Sequence, residues 1–88
     1  MTASYGVRIS ARAERELLRL PEKIGAACLT FIFGPLTGQP YRLGGALRGQ
    51  LTGLYSTRRG SYRIVYRIDD EANRIDIILI DHRRHVYR

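Results

Sequence analysis

The stretch LYSTRRGSYRIVYRIDDEANRIDIILID, residues 54–81, decides the fold. It holds three strand-like segments, 54–58, 61–69 and 74–81. The turn signals Arg59-Gly60 and DDEAN (69–73) separate them. Alternation of polar residues with β-branched and aromatic ones predicts an antiparallel meander. Upstream, YGVRI (5–9) reads as a first strand, and Ser10 offers an N-cap to a helix over ARAERELLRL. Ala13, Leu17, Leu20 and Ile24 share one face of it. Pro21 breaks the run and opens a second helix, with Glu22 at the positive end of its dipole. Ile24, Ala27, Cys28, Phe31 and Ile32 continue the apolar stripe until Gly34-Pro35 ends it. Residues 34–53, rich in glycine and proline, read as a long connection. The expected fold is α+β: one strand, a two-helix hairpin, then a three-stranded antiparallel meander, with the helices packed on one side of the sheet.

Eighty-eight residues with 44% hydrophobic side chains suit a single domain spanning 1–88. No apolar run reaches the length of a membrane span, and the first ten residues lack the pattern of a secretory signal. Cytoplasm is the expected location. One cysteine, Cys28, allows neither an internal disulfide nor a cysteine metal cluster and reads as a small core residue. The net charge of +7 and pI near 10.3 point to an anionic partner, nucleic acid or an acidic protein. Lys23 is the one lysine among fifteen basic residues. Arginine offers a planar fork that grips phosphate with two hydrogen bonds and stacks on bases.

A tight turn at Arg59-Gly60 would pair Arg58 with Ser61, Ser56 with Arg63 and Leu54 with Val65. Leu54, Ser56, Arg58, Ser61, Arg63, Val65 and Arg67 then share one face. Tyr62, Ile64, Tyr66 and Ile68 take the other and pack on the helices. A solvated sheet face has the same alternation, and a one-residue change in the turn would scatter the set. The tail DHRRHVYR (81–88) favours a site. It continues the last strand, which places Arg83, Arg84, His85 and Tyr87 to curl back over the arginines. Such a cluster suits RNA cleavage without metal or other cofactor. A ribose 2′-OH attacks the adjacent phosphate, a base takes its proton, cations hold the added negative charge, and an acid protonates the leaving oxygen. Arg58, Arg63 and Arg83 supply the charge, and Arg59, Arg67, Arg84, His82 and Arg88 supply further RNA contacts. Arginine stays protonated, so the base is Tyr87, His82 or His85. Tyrosine ionises near pH 10 and would need stabilising by about 4 kcal/mol to act near neutrality, whereas histidine needs no such help. HRRH (82–85) offers two imidazoles and no third ligand, so no metal site is expected.

The segments GSYRIVYRID (60–69) and DHRRHVYR (81–88), with LRGQLTGLYSTRRG (47–60) before them, resemble the RelE/ParE superfamily of bacterial toxin–antitoxin systems. The resemblance covers nearly the whole chain and its element order. It implies a toxin that enters the ribosomal A site and cuts mRNA without metal, neutralised by a cognate antitoxin through which alone it meets operator DNA. By position it carries function onto Arg58, Arg63, Tyr87 and Arg83. RelE members with lysines on the second strand differ from this chain, which has Leu54 and Ser56, and their C-terminal basic pair is placed differently. The same superfamily includes ParE-like gyrase inhibitors. An inactive antitoxin-binding co-repressor is the third reading.

Overall fold

A computed structural model of the chain describes residues 4–82. Arginine, isoleucine and tyrosine alternate along β4 (Tyr62–Asp69), which pairs antiparallel with β3 (Tyr55–Arg59) and β5 (Arg74–His82). β1 (Gly6–Ile9) runs parallel to β5, with Gly6 opposite Arg74 and Ile9 opposite Ile77. A two-residue strand, β2 (Gly45–Ala46), joins β3 and completes the order β1-β5-β4-β3-β2. α1 (Ala11–Arg19) and α2 (Glu22–Phe31) follow β1 and cover one side of the sheet. There Ala13, Cys28 and Phe31 meet Tyr62, Ile64, Tyr66, Ile75, Ile77 and Ile80 in one buried cluster. This is the expected α+β arrangement. Burial pushes the Cys28 thiol up to about 11, in keeping with a packing role. Among the described residues no helix is long and apolar enough to cross a membrane.

The second helical segment does not end at Gly34-Pro35. It continues as a π-helical turn over Ile32–Leu36, with Pro35 inside it. The wider turn takes in a residue that has no N–H and would crowd the carbonyl four residues back in an α-helix. Thr37 donates its hydroxyl to Gly34 O at 2.9 Å, occupying a carbonyl near the proline. Ala27, expected on the buried stripe, is exposed. The connection is more ordered than its composition suggests, holding α3 (Pro40–Leu43), β2 and a 3₁₀ turn over Gly49–Leu51. Tyr66 explains part of this order. Its hydroxyl donates to Pro40 O at 2.5 Å, and it lies so close to Gly44 that a Cβ there would collide with the ring. Glycine is therefore required at 44 for space.

β5 is longer than β1, so its far end needs other partners. Ser10 caps α1 by accepting from Ala13 N at 3.0 Å and donates its hydroxyl to Ile78 O at 2.8 Å. Glu16 Oε1 accepts from Ile80 N at 2.7 Å. Ser10 and Glu16 thus satisfy backbone groups that β1 leaves unpaired. At the opposite end Asp70 accepts from Tyr5 at 2.6 Å and also from Tyr41, fastening the segments before β1 and around α3 to the β4–β5 turn. The Tyr41 bond, then the Tyr5 bond, holds the Asp70 carboxyl below its ordinary value of 3.8, and Tyr41 is pushed up to about 12.

Glu16→Ala, which strands the Ile80 N–H, should cost about 1–3 kcal/mol in urea denaturation, and Glu16→Gln should restore most of it. The Asp70 clip predicts a pH dependence. Its carboxyl is depressed on folding, so its stabilisation is present above 3.8 and is lost as pH falls through the lower folded value. Melting temperature against pH should fall less steeply below pH 4 for Asp70→Asn than for wild type, and equal slopes would refute the clip.

Candidate nucleic-acid interface

The β3–β4 hairpin turns through Gly60-Ser61, one residue later than the sequence suggests. Arg58 lies opposite Arg63, Ser56 opposite Val65 and Arg59 opposite Tyr62. The later turn places Gly60, with φ +57, at the first loop position, where Arg59 would otherwise face a positive φ. The arginine face is not scattered. Moving the turn by one residue changes each partner by two, which preserves the side each residue faces. Arg58 and Arg63 become direct cross-strand neighbours, about 5 Å apart at Cα. Arg67 follows on the same face of β4.

β5 carries a bulge at Ile78, because Val65 pairs with Leu79 while Tyr66 pairs with Ile77. Beyond it, Asp81 stands opposite Arg63 on the outer face and His82 stands opposite Tyr62 on the helix side. His82 is buried there, with Nε2 3.3 Å from Ser61 Oγ. It therefore lies on the helix side of the sheet, opposite the face of Arg58 and Arg63. Arg59 also faces the helices, its guanidinium 4.6 Å over the Phe31 ring. Arg83, Arg84, His85, Tyr87 and Arg88 lie outside the described residues.

The outer face also holds carboxylates that the sequence reading missed. Arg63 Nη2 lies 3.4 Å from Asp81 Oδ2. Asp76, almost fully buried, gathers Arg74 at 2.8 Å, Arg67 at 3.7 Å and Arg8 at 4.0 Å. Asp69 takes a second contact with Arg74 at 3.5 Å. The alternation of RIDIILID contains these acids, but only the sheet order brings Arg8 of β1 to Asp76. The face therefore has two parts. Arg67 belongs to a network gathered on Asp76, which is almost fully buried. At the hairpin end Arg63 pairs with Asp81 and Arg58 stands beside Arg63, two cations to one carboxylate among the described residues, an excess of positive charge to meet an anion. Exposed ion pairs of this kind contribute about 0–1 kcal/mol, so a phosphate can displace one at little cost.

The architecture is that of a class of small bacterial toxins. The isolated Escherichia coli RelE toxin shares it with a TM-score of 0.73 at 21% identity, over 90% of this chain and 84% of that one. The toxin–antitoxin complex RelBE2 from Mycobacterium tuberculosis contains a chain that matches with a TM-score of 0.90 and 47% identity, over 92% of this chain and 100% of that one. Residues 7–87 match the family model for the ParE toxin of the type II toxin–antitoxin system parDE. Toxin RelE of M. tuberculosis is 57% identical over 96% of this chain and 87% of its own length. Toxin RelG of the same organism is 48% identical over 96% and 97%. The chain belongs to the RelE/ParE superfamily and is a type II toxin of that family.

Because Asp81 competes for Arg63, Asp81→Asn should bind a short single-stranded oligoribonucleotide about 2–5-fold more tightly in fluorescence anisotropy at low salt, and Arg63→Ala should bind it more weakly. An unchanged affinity for both variants would remove this face from the interface.

Proposed function

We propose that the chain, as one domain, is a ribosome-dependent mRNA endonuclease that acts in the cytoplasm and is neutralised by a cognate antitoxin. The observation that carries this reading is the Arg58–Arg63 pair on the outer face, whose charge exceeds that of Asp81, its acidic neighbour among the described residues. The RelE and RelG names of the curated relatives support it, and the RelBE2 complex supports an antitoxin as partner. In the reaction the ribose 2′-OH adjacent to the cut attacks phosphorus, the P–O5′ bond breaks to leave a 2′,3′-cyclic phosphate, and the departing 5′ oxygen takes a proton from water. Arg58 and Arg63 hold the non-bridging oxygens as their charge grows, where one such donor contributes about 10²–10³ in rate. Arg83 adds charge from the tail. Tyr87 or His85 takes the 2′ proton.

Programmed ribosomes test the reading. Wild type should cleave mRNA in the A site, Arg63→Ala should be slower by about 10²-fold, and the base variant, Tyr87→Phe or His85→Ala, slower by about 10²–10⁴. A histidine base makes the rate rise with pH around 6.5 and then level off, whereas a tyrosine base carries the rise to higher pH. Intact mRNA at stoichiometric toxin would sink the proposal. The family model carries the ParE name, so a supercoiling assay with purified gyrase belongs beside it. Inhibition there, unaltered by Tyr87→Phe and His85→Ala, would identify a gyrase inhibitor.

A further inference from the structure

The outer sheet face carries its charge in two cross-strand rows, and the reaction above uses the one at the hairpin. Arg58, Arg63 and Asp81 lie in register across β3, β4 and β5. Arg67, Asp76 and Arg8 lie in register across β4, β5 and β1. Between the rows, the line of Ser56, Val65 and Leu79 has no charge. The cations of the second row are unequally engaged. Arg74 donates to Asp76 through Nε at 2.8 Å, whereas Arg67 and Arg8 stand 3.7 and 4.0 Å from its oxygens, beyond hydrogen-bond length. Both bring Nε nearest to the acid, which leaves the two terminal nitrogens of each guanidinium for another oxygen anion. The Arg8 and Arg67 side chains are 66% and 58% exposed, and Asp76 lies 9% exposed beneath them. With Asp69, which pairs with Arg74, three guanidinium groups face two carboxylates among the described residues. The Cα atoms of Arg8 and Arg67 are two strands apart, about 10 Å. Both guanidinium groups nevertheless converge on one buried acid.

We propose that Arg8 and Arg67 form a second phosphate clamp for the same RNA strand, two nucleotides from the phosphate held by Arg58 and Arg63. The proposal rests on the nuclease reading above and adds to it a register along β4. From Arg63 to Arg67 is about 13 Å of strand. A peptide repeat has three backbone bonds and a nucleotide repeat six. An extended nucleotide therefore covers roughly the length of two residues, and the rows are about two phosphates apart. The intervening phosphate passes over the uncharged line of Ser56, Val65 and Leu79. The two clamps differ in kind. At the hairpin end Arg63 exchanges an exposed carboxylate for phosphate. At the β1 end Asp76 already holds Arg8 and Arg67 in place, so little side-chain freedom is lost when phosphate arrives. Two nucleotides from the reacting atoms, the second clamp sets binding and register and takes no part in the bond changes.

Fluorescence anisotropy with the full chain and labelled 2′-O-methyl pentanucleotides tests this, because the blocked 2′ oxygen prevents cleavage. Uncharged methylphosphonate linkages leave two of the four phosphates charged: the first and third in one probe, the second and third in the other. The probes have equal length and equal charge and differ in spacing alone. Wild type should bind the first about fivefold or more tightly than the second at low salt. Arg8→Gln/Arg67→Gln should bind the two alike. Arg15→Gln/Arg19→Gln, which removes the same charge from exposed positions on α1, should keep the preference. Circular dichroism melting checks that both double variants fold, and the wild-type comparison stands without them. Equal affinity of wild type for the two probes overturns the second clamp, as does a preference that survives Arg8→Gln/Arg67→Gln. With either result, cleavage of mRNA on programmed ribosomes by wild type leaves the nuclease reading intact. Wild type that neither cleaves there nor binds a fully charged pentanucleotide fails that reading, and the clamp with it.

Discussion

One extra residue in β5, Ile78, governs which side chains the sheet offers to solvent. Without that bulge the pairing set by Tyr66 and Ile77 would continue, placing Arg63 opposite Ile80 and Tyr62 opposite Asp81. A carboxylate would then enter the core beside Tyr62, at a cost of several kcal/mol, and an isoleucine would turn to water. The bulge reverses both placements. Asp81 comes out to Arg63, Ile80 goes in beside Ile64, and His82 closes the core behind Ser61. Ser10 and Glu16 hold the strand on either side of this point through Ile78 O and Ile80 N. The first turns of α1, the bulge and the outer face therefore form a single mechanical unit.

Element order and the core were legible in the sequence because each depends on local periodicity. Tyr62, Ile64 and Tyr66 announce an inward face, and Ala13, Cys28 and Phe31 announce the helices that cover it. What could not be read locally depends on pairing or on backbone relief. The turn at Gly60-Ser61 reflects a positive φ that glycine accepts and Arg59 would resist. The π turn around Pro35 is a way past a residue that usually ends helices. A bulge inside IDIILID leaves no mark, since a run of isoleucine and leucine reads the same in either register. The register alone decides that Asp81 turns outward to Arg63 and His82 inward beside Tyr62. Arg58 and Arg63, set before the bulge mattered, stayed on their face.

Charge on the outer face is graded by its acids. Asp76 is buried and holds three guanidinium groups, Arg74 closest, so that end of the sheet is tied together on a buried carboxylate and is costly to disturb. Asp81 is partly exposed and has one partner at 3.4 Å. Its bond is longer and wetter, hence weaker and more easily exchanged. A net charge of +7 spread evenly would attract any polyanion anywhere. What distinguishes the hairpin end is that its carboxylate is partly exposed and its ion pair is easily exchanged, whereas the arginines at the β1 end are held on a buried acid.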